Sequence, residues 1–316
     1  MSTATHGAAR PQHLLGLEAM DREAITALLD RAEALAALSP AVRRTVLAGR
    51  TLATLFFEPS TRTRISFQLA AQRMGMDAID LNVSMASTSK GETESDTLRT
   101  LAAMGVDAFV VRHKIEGTVG ALAAELDPGV ALISAGEGRS HHPTQGLLDM
   151  LSLRQAKGAD FSRLRVLIAG DIRHSRVARS DLHALRALGC GHIRLCGPAS
   201  LLPDPAEWPG CEAVDDFDAA VEGVDALFML RLQRERMSEG LVPSLEAYYR
   251  DYGLTEARLA RAAPDAVVLH PGPINRGVEI SDAVADGPRS LILRQVANGV
   301  AIRMAVLDWL LGQGGD

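Results

Sequence analysis

Two arginines one residue apart, directly after a serine and a threonine, could grip a phosphate or carboxylate without a metal. They stand in Phe57-Glu58-Pro59-Ser60-Thr61-Arg62-Thr63-Arg64, where the apolar run Leu52 to Phe57 stops at a proline and Ser60 and Thr61 open a helix. The first turn of a helix offers unpaired backbone N–H groups and a partial positive charge, so it attracts anions. Hydroxyls and a guanidinium fork add charge-assisted donors. On this segment alone, a plain serine-capped helix with solvated arginines competes equally. Four further polar motifs stand beside predicted strand ends: Lys90-Gly91-Glu92-Thr93, His142-Pro143-Thr144-Gln145, Arg231-Leu232-Gln233-Arg234-Glu235-Arg236 and His270-Pro271-Gly272-Pro273. Each has a bland alternative: a flexible loop around Lys90, a helix-capping His142, a solvated Gln145, and a surface charge run from Arg231. Two prolines bracketing Gly272 imply a rigid, sharply turned backbone, in which a cis bond is expected at Gly272–Pro273.

The elements that must position these motifs are strands alternating with helices. Strands are predicted over 51–57, 78–83, 108–112 and 130–134, then over 165–169, 192–196, 226–230 and 266–269. Between them, helical periodicity runs over 21–38, 61–74, 94–104 and 119–126, then over 175–188, 244–249 and 255–262. Apolar strands alternating with helices imply parallel sheets covered on both faces. The expected fold is therefore α/β, two doubly wound domains with parallel sheets, linked by interdomain helices. The helix from Pro143 to about Lys157 should cross between the halves, and a long apolar helix over 290–311 should pack back on the first. Ligands of such folds bind beyond the carboxyl ends of the strands, where all five motifs fall, so one composite site between two domains is expected.

The bulk properties narrow the classes. A chain of 316 residues suggests two domains, and 47% hydrophobic with 23% charged residues is a globular composition. A net charge of −6 argues against general binding to nucleic acid or an anionic membrane, and makes locally concentrated arginines more telling. Cys190, Cys196 and Cys211 lack zinc-ligand or disulfide-framework spacing, so reduced and mostly buried thiols are expected, with no metal. No apolar run approaches a membrane span, and Met1 to Pro11 has no apolar signal core. A cytoplasmic protein is the expectation.

The set STRTR, KGET, Arg112-His113, HPTQ, Gly170 to Arg176 (GDIRHSR), RLQRER and HPGP, in this order from about Leu14 to Leu311, resembles aspartate carbamoyltransferase catalytic chains. The resemblance implies carbamoyl transfer from carbamoyl phosphate to L-aspartate, an early step of pyrimidine biosynthesis, with no cofactor. It implies a carbamoyl phosphate-binding domain of residues 1–143 plus 291–316 and an aspartate-binding domain of residues 144–290. It also implies a homotrimer with shared active sites, which in relatives can join regulatory or dihydroorotase chains.

Carried over residue by residue, Ser60, Thr61, Arg62 and Thr63 would hold the phosphate, with Arg112 on its other side. Thr61, Arg112 and His142 would point donors at the carbonyl oxygen, His142 acting as an electrophilic donor rather than a base. Gln145 and the backbone carbonyls around Gly272 and Pro273 would meet the carbamoyl NH2. Arg176, Arg231 and Gln233 would bind aspartate. Lys90 and Ser87 would enter the neighbouring subunit's site, with Lys90 reaching phosphate and aspartate. Catalytic roles thus fall to Arg62, Thr63, Arg112, His142 and Lys90. Glu58 is expected to orient Arg176 across the domain gap, and Arg276 and Glu279 to form structural salt bridges.

The sequence departs from the family pattern at Gln68, where many relatives carry glutamate, and at Ala86, where many carry serine. The second departure bears on the choice of Ser87. An ornithine-specific transcarbamoylase is the nearest rival, but that branch usually has a cysteine where Gly272 stands. A nucleotide-binding oxidoreductase, suggested by Val166 to Asp171, lacks the GxGxxG fingerprint. A catalytically dead paralogue should have lost motif arginines or the histidine, and this chain has kept them.

Overall fold

The computed structural model describes residues 11–81, 93–232, 240 and 243–312. Alternating strands and helices build two five-stranded, wholly parallel sheets. The first contains β1 (His13–Leu14), β2 (Thr51–Phe56), β3 (Asp77–Leu81), β4 (Ala108–His113) and β5 (Ala131–Glu137), in the order β1-β5-β4-β2-β3. The second contains β6 (Arg165–Ala169), β7 (His192–Cys196), β8 (Cys211–Ala213), β9 (Ala226–Met229) and β10 (Val267–Leu269), in the order β10-β9-β6-β7-β8.

In chain order the helices are α1 (Arg22–Ala37), α2 (Pro40–Arg43), α3 (Thr61–Arg73), α4 (Glu94–Ala103), α5 (Thr118–Ala124), α6 (Pro143–Lys157) and α7 (Arg176–Ala187). They continue with α8 (Phe217–Val221), α9 (Leu245–Tyr252), α10 (Glu256–Leu259), α11 (Asp282–Ala285) and α12 (Ile292–Leu311).

Period-two alternation explains why the strands read as unbroken apolar runs. In the first sheet Leu52, Val110 and Ile133 face one side, while Ala53, Phe109, Val111 and Leu132 face the other. In the second, Val166, Ile168 and Phe228 oppose Leu167, Ala169 and Met229. Both faces of each sheet are therefore buried, as parallel pairing requires. The expected α/β class, with a parallel sheet in each half, is what the chain adopts.

The inner faces of both sheets share one core through α6 and α12. Proline at its first position starts α6, which is buried from Pro143 to Leu153 and packs on β5, α7, α12 and β10. Helix α12 returns to pack on α1, α3 and α6, as its apolar length predicts.

Four strands were expected in each half, and an edge strand joins each sheet. Strands β1 and β8 have two and three residues, too few to print an alternation. The strand expected over 78–83 and the motif from Lys90 run partly outside the described residues. Helix α10 is shorter than its predicted 255–262, and α9 runs on to Tyr252.

Strand order fixes where a site can form. From β2 the chain moves outward to β3 and then back to β4 on the other side; from β6 it moves outward to β7 and later returns to β9. The two crevices where direction reverses lie beyond β2/β4 and β6/β9, the standard ligand positions of open parallel sheets.

Candidate active site

A cavity of about 1000 Å³ opens at these crevices. Its walls include Ser60, Thr61, Arg62 and Thr63 after β2, Arg112 in β4, and His142 and Gln145 at the start of α6. Arg176 opens α7, Arg231 follows β9, and Gly272 and Pro273 follow β10. Every sequence-predicted site residue that is described thus lines one cavity. Lys90, Ser87 and Gln233 lie outside the described residues.

Ser60 is the N-cap residue of α3, but its side chain makes no capping bond. The serine-capped alternative therefore fails, and the hydroxyl stays available beside the helix N-terminus. Arg62 leans on the turn after β10: a side chain at Gly272, whose φ is +63°, would meet the Arg62 guanidinium carbon at 3.4 Å. Arg62 also feels Arg231; burial first, then that charge, lowers its pKa. Two residues on, Arg64 turns away and pairs with Asp80 of β3 at 3.4 Å.

Arg112 is only 8% exposed. Its Nη1 donates to the Ala135 carbonyl at 3.1 Å and its Nη2 to Glu58 Oε1 at 2.9 Å, while Nε has no partner among the described residues. Burial and then the neighbouring Arg176 charge lower its pKa to about 10, so it remains cationic at neutral pH. Gly136, at φ +118°, lets both arginines come close: a side chain there would meet Arg112 Nη1 and Arg176 Nε at 3.1 Å.

Glu58 joins the two halves. It accepts from Arg176 Nη1 at Oε2 and from Arg176 Nη2 at Oε1, each at 2.9 Å, and from Arg112. Burial alone would raise its pKa, but the Arg176 and Arg112 hydrogen bonds and charges win and lower it. Arg176 also donates to the Gly138 carbonyl at 3.1 Å. The expected orienting role of Glu58 toward Arg176 is therefore the observed geometry.

His142 is the N-cap residue of α6, yet its ring makes no capping bond, so the capping alternative fails as well. The ring is buried with Nδ1 unpartnered among the described residues, and its backbone N–H donates to Ser180 Oγ at 2.9 Å. Burial, then Arg112, Arg176 and Arg303, push its pKa well below the usual imidazole range. A neutral ring can donate one N–H, but is a poor base at neutral pH. Gln145 is buried, and its Nε2 donates to Asp149 Oδ1 and Oδ2 at 3.0 and 3.2 Å. With its NH2 group so engaged, the free function of Gln145 is its carbonyl oxygen, an acceptor.

The turn Gly272–Pro273 is cis, and Gly272 N–H donates to His270 Nδ1 at 2.8 Å. His270 Nε2 bonds the fully buried Glu279 at 2.9 Å. Glu279 thus braces the turn, whereas Arg276 pairs outside it with Asp282 and Asp286.

Sequence reasoning missed Lys114, Glu116, Arg139, His174 and Arg303, which also line the cavity, and the hydrogen-bonded pair of Gln295, at the cavity wall, and Asp149 behind it. Lys114, Glu116, Arg139 and Arg303 sit in loops and on a helix without a legible pattern, whereas His174 stands inside the GDIRHSR motif, which was read for Arg176 alone. Asp149 could have been suspected, since it stands one helical turn after Gln145.

The chemistry available is anion binding without a metal: arginines, hydroxyls, a helix N-terminus and a neutral histidine converge, and acceptors lie opposite them. Comparison with known proteins points the same way. Residues 12–155 match the aspartate/ornithine carbamoyltransferase carbamoyl-P binding domain, and residues 162–310 match the Asp/Orn binding domain of that family. The chain is 66% identical over 306 residues to the aspartate carbamoyltransferase catalytic subunit of Stenotrophomonas maltophilia, covering 96% of this chain and 97% of the relative. It is equally similar, over 305 residues, to that of Xanthomonas oryzae, with the same coverage.

Among solved structures, aspartate transcarbamoylase of Trypanosoma cruzi in complex with carbamoyl phosphate and aspartate superposes with a TM-score of 0.85 at 28% identity, covering 96% and 98% of the chains. Ornithine carbamoyltransferase of Thermus thermophilus gives 0.83 at 27%, covering 96% and 100%.

Proposed function

The chain belongs to the aspartate/ornithine carbamoyltransferase family, and from that membership we propose that it transfers the carbamoyl group of carbamoyl phosphate to L-aspartate, giving N-carbamoyl-L-aspartate and phosphate. The observation that carries the choice of aspartate is the cavity wall itself. Arg176 and Arg231 line it in addition to the phosphate-binding Arg62 and Arg112, so each carboxylate of a dicarboxylate has a guanidinium to meet. The 66% identity to aspartate-specific relatives supports the same choice.

Ser60, Thr61, Arg62, Thr63 and Arg112 bind the phosphate oxygens. Thr61, Arg112 and the neutral His142 donate to the carbonyl oxygen as it gains charge. The Gln145 carbonyl and the carbonyls of the turn at Gly272 and Pro273 accept from the carbamoyl NH2. Arg176 and Arg231 take the aspartate carboxylates, whose planar geometry suits a guanidinium fork. The amine attacks the carbonyl carbon directly through a tetrahedral intermediate. The bond from that carbon to phosphate breaks, and the departing phosphate takes the amine proton. Among the described residues no group is arranged as a covalent nucleophile, and the direct attack requires none.

Gln233, Lys90 and Ser87 complete this reading from the sequence alone, the last two serving a neighbouring subunit. The homotrimer is supported by apolar side chains left exposed on α3 and β3 beside the site: Ile65, Leu69 and Ile79. Residues 1–143 with 291–316 form the carbamoyl phosphate half in this reading, and 144–290 the aspartate half; packing of α12 on α1 and α3 supports the C-terminal return. A role in pyrimidine biosynthesis follows from the reaction.

Purified chain offered carbamoyl phosphate with aspartate or ornithine, with ureido product read by colorimetry, tests the reaction. Product with ornithine alone overturns it. Sedimentation equilibrium tests the trimer, and a monomer with full activity would exclude shared sites.

A further inference from the structure

Beneath the carbamoyl end of the cavity lies a buried polar network that the reaction scheme does not use. Helices α6 and α7 cross closely there. Gly146 makes room, since a side chain at that position would meet the Ser180 backbone at 3.1 Å. His142 N–H bonds Ser180 Oγ on one side of this crossing, and on the other Asp149 of α6 meets Asp181 of α7. Both carboxyls are fully buried.

Their surroundings differ sharply. Asp149 accepts from Gln145 Nε2 at 3.0 and 3.2 Å and from Gln295 Nε2 of α12 at 2.6 Å. Among the described residues neither oxygen of Asp181 receives a donor; the polar group it faces is Asp149 itself. Two carboxylates in contact and out of water cannot both stay ionised. The nearby cation is Arg303 of α12, whose Nη1 donates to the Gly299 carbonyl at 2.9 Å and whose guanidinium lies 5.0 Å from the Phe67 ring centre. Burial lowers Arg303 to about 9, with the Asp149 charge opposing the fall, so it stays protonated at neutral pH. One cation, one carboxylate and one carboxylic acid make the cluster neutral.

We propose that Asp181 holds a proton which it donates to Asp149, and that Asp149 so anchored is the positioning residue for both walls of the carbamoyl NH2 subsite. One wall is Gln145, whose amide Asp149 turns so that its carbonyl is the free function. The other is the turn after β10: Gln295 donates to Asp149 and its Oε1 accepts the His270 N–H at 2.9 Å, two residues before Gly272. One carboxylate therefore sets the orientation of two amides, one reaching the substrate and the other fixing the turn. Burial, followed by the Asp149 charge, raises the Asp181 carboxyl well above its usual range, in keeping with the geometry.

The positioning role rests on the carbamoyl-transfer reading above, whereas the proton does not, so the two are tested separately. For the proton, thermal unfolding of wild type and Asp181→Asn is followed from about pH 4 upward, where an unfolded aspartate loses its proton. The folded wild type retains a proton that the unfolded chain gives up, so its stability falls with rising pH relative to a variant with nothing to titrate there. The melting-temperature advantage of D181N is expected to grow with pH; a pH-independent difference overturns the proton.

For positioning, steady-state kinetics are measured with carbamoyl phosphate varied. Asp149→Asn is expected to lose about 10- to 10²-fold in kcat/KM through misplaced groups, while D181N, an isostere of the protonated acid, stays near wild type at neutral pH. If D149N does not fold, Gln295→Leu reads the same link to the His270 turn and should raise KM for carbamoyl phosphate. Unchanged kinetics in D149N, or in Q295L where D149N fails, overturn the positioning role. An inactive wild type would instead overturn the reaction reading, leaving the unfolding test intact.

Discussion

The two ends of the cavity are built differently. At the carbamoyl end Arg112, His142 and Gln145 are buried and braced before any substrate arrives: Arg112 by Ala135 and Glu58, His142 by its backbone bond to Ser180, Gln145 by Asp149, while Thr61 and Arg62 at the mouth stand exposed. At the aspartate end Arg231 is exposed, and Arg176 is occupied by Glu58 and the Gly138 carbonyl. Preorganised donors suit the end where charge develops, since they need no rearrangement as the carbonyl oxygen becomes anionic. An arginine held by an internal carboxylate suits the end that must admit and release a second substrate. Glu58 touches both ends, so it sets how independent they are.

Breaking the preorganised end should cost most. Arg112→Ala removes a donor to both phosphate and carbonyl oxygen, and kcat is expected to fall by ~10²–10³, read by steady-state assay at saturating aspartate. Arg231→Ala should instead act mainly through KM for aspartate, raised about 10-fold or more, since a hydrogen bond to a charged group contributes roughly 1.5–3 kcal/mol. If both variants changed the same constant, the division between the ends would be wrong. Glu58→Gln should shift both constants by about fivefold each, corresponding to ~1 kcal/mol for a weakened hydrogen bond.

The pH dependence sharpens the contrast. Burial, Arg112, Arg176 and Arg303 depress the His142 pKa, so the folded chain binds no proton there as pH falls through about 6.5, while the unfolded chain does. Stability contributed by the neutral ring is thus present above about pH 6.5 and is lost progressively below it. Ring nitrogen resonances of His142 should remain those of a neutral imidazole at pH 6.5 and move only at lower pH. An imidazolium signal at neutral pH would remove it as an uncharged donor.

Much of this arrangement was legible because strand ends leave short motifs. STRTR, HPTQ and HPGP each follow an apolar run, and the alternation of strands and helices was enough to place them on one side of two sheets. What stayed hidden depends on tertiary proximity. Asp149 and Asp181 are 32 positions apart and meet only because α6 and α7 cross at Gly146. Gln295 reaches His270 and Asp149 only when α12 packs against β10 and α6. Strands β1 and β8 were missed because two or three residues carry no period. Arg62 was assigned over Arg64 only through the family resemblance, because the two look alike in the motif itself.

That last pair gives the finest test of how local the preorganised end is. Both arginines lie in the first turn of α3, yet Arg62 lines the cavity and Arg64 faces Asp80 on β3. Two residues of helix rotate a side chain by more than half a turn, so only one of the two can look at the phosphate. The Arg64–Asp80 pair is partly solvent-exposed and long, and surface pairs contribute ~0–1 kcal/mol. Arg64→Ala is therefore expected to change thermal stability by at most ~1 kcal/mol and to leave KM for carbamoyl phosphate unchanged. A rise in that KM comparable to the effect of Arg62→Ala would mean that the helix N-terminus attracts phosphate through its summed charge. The braced geometry would then matter less than the field, and the contrast between the two ends would be one of degree.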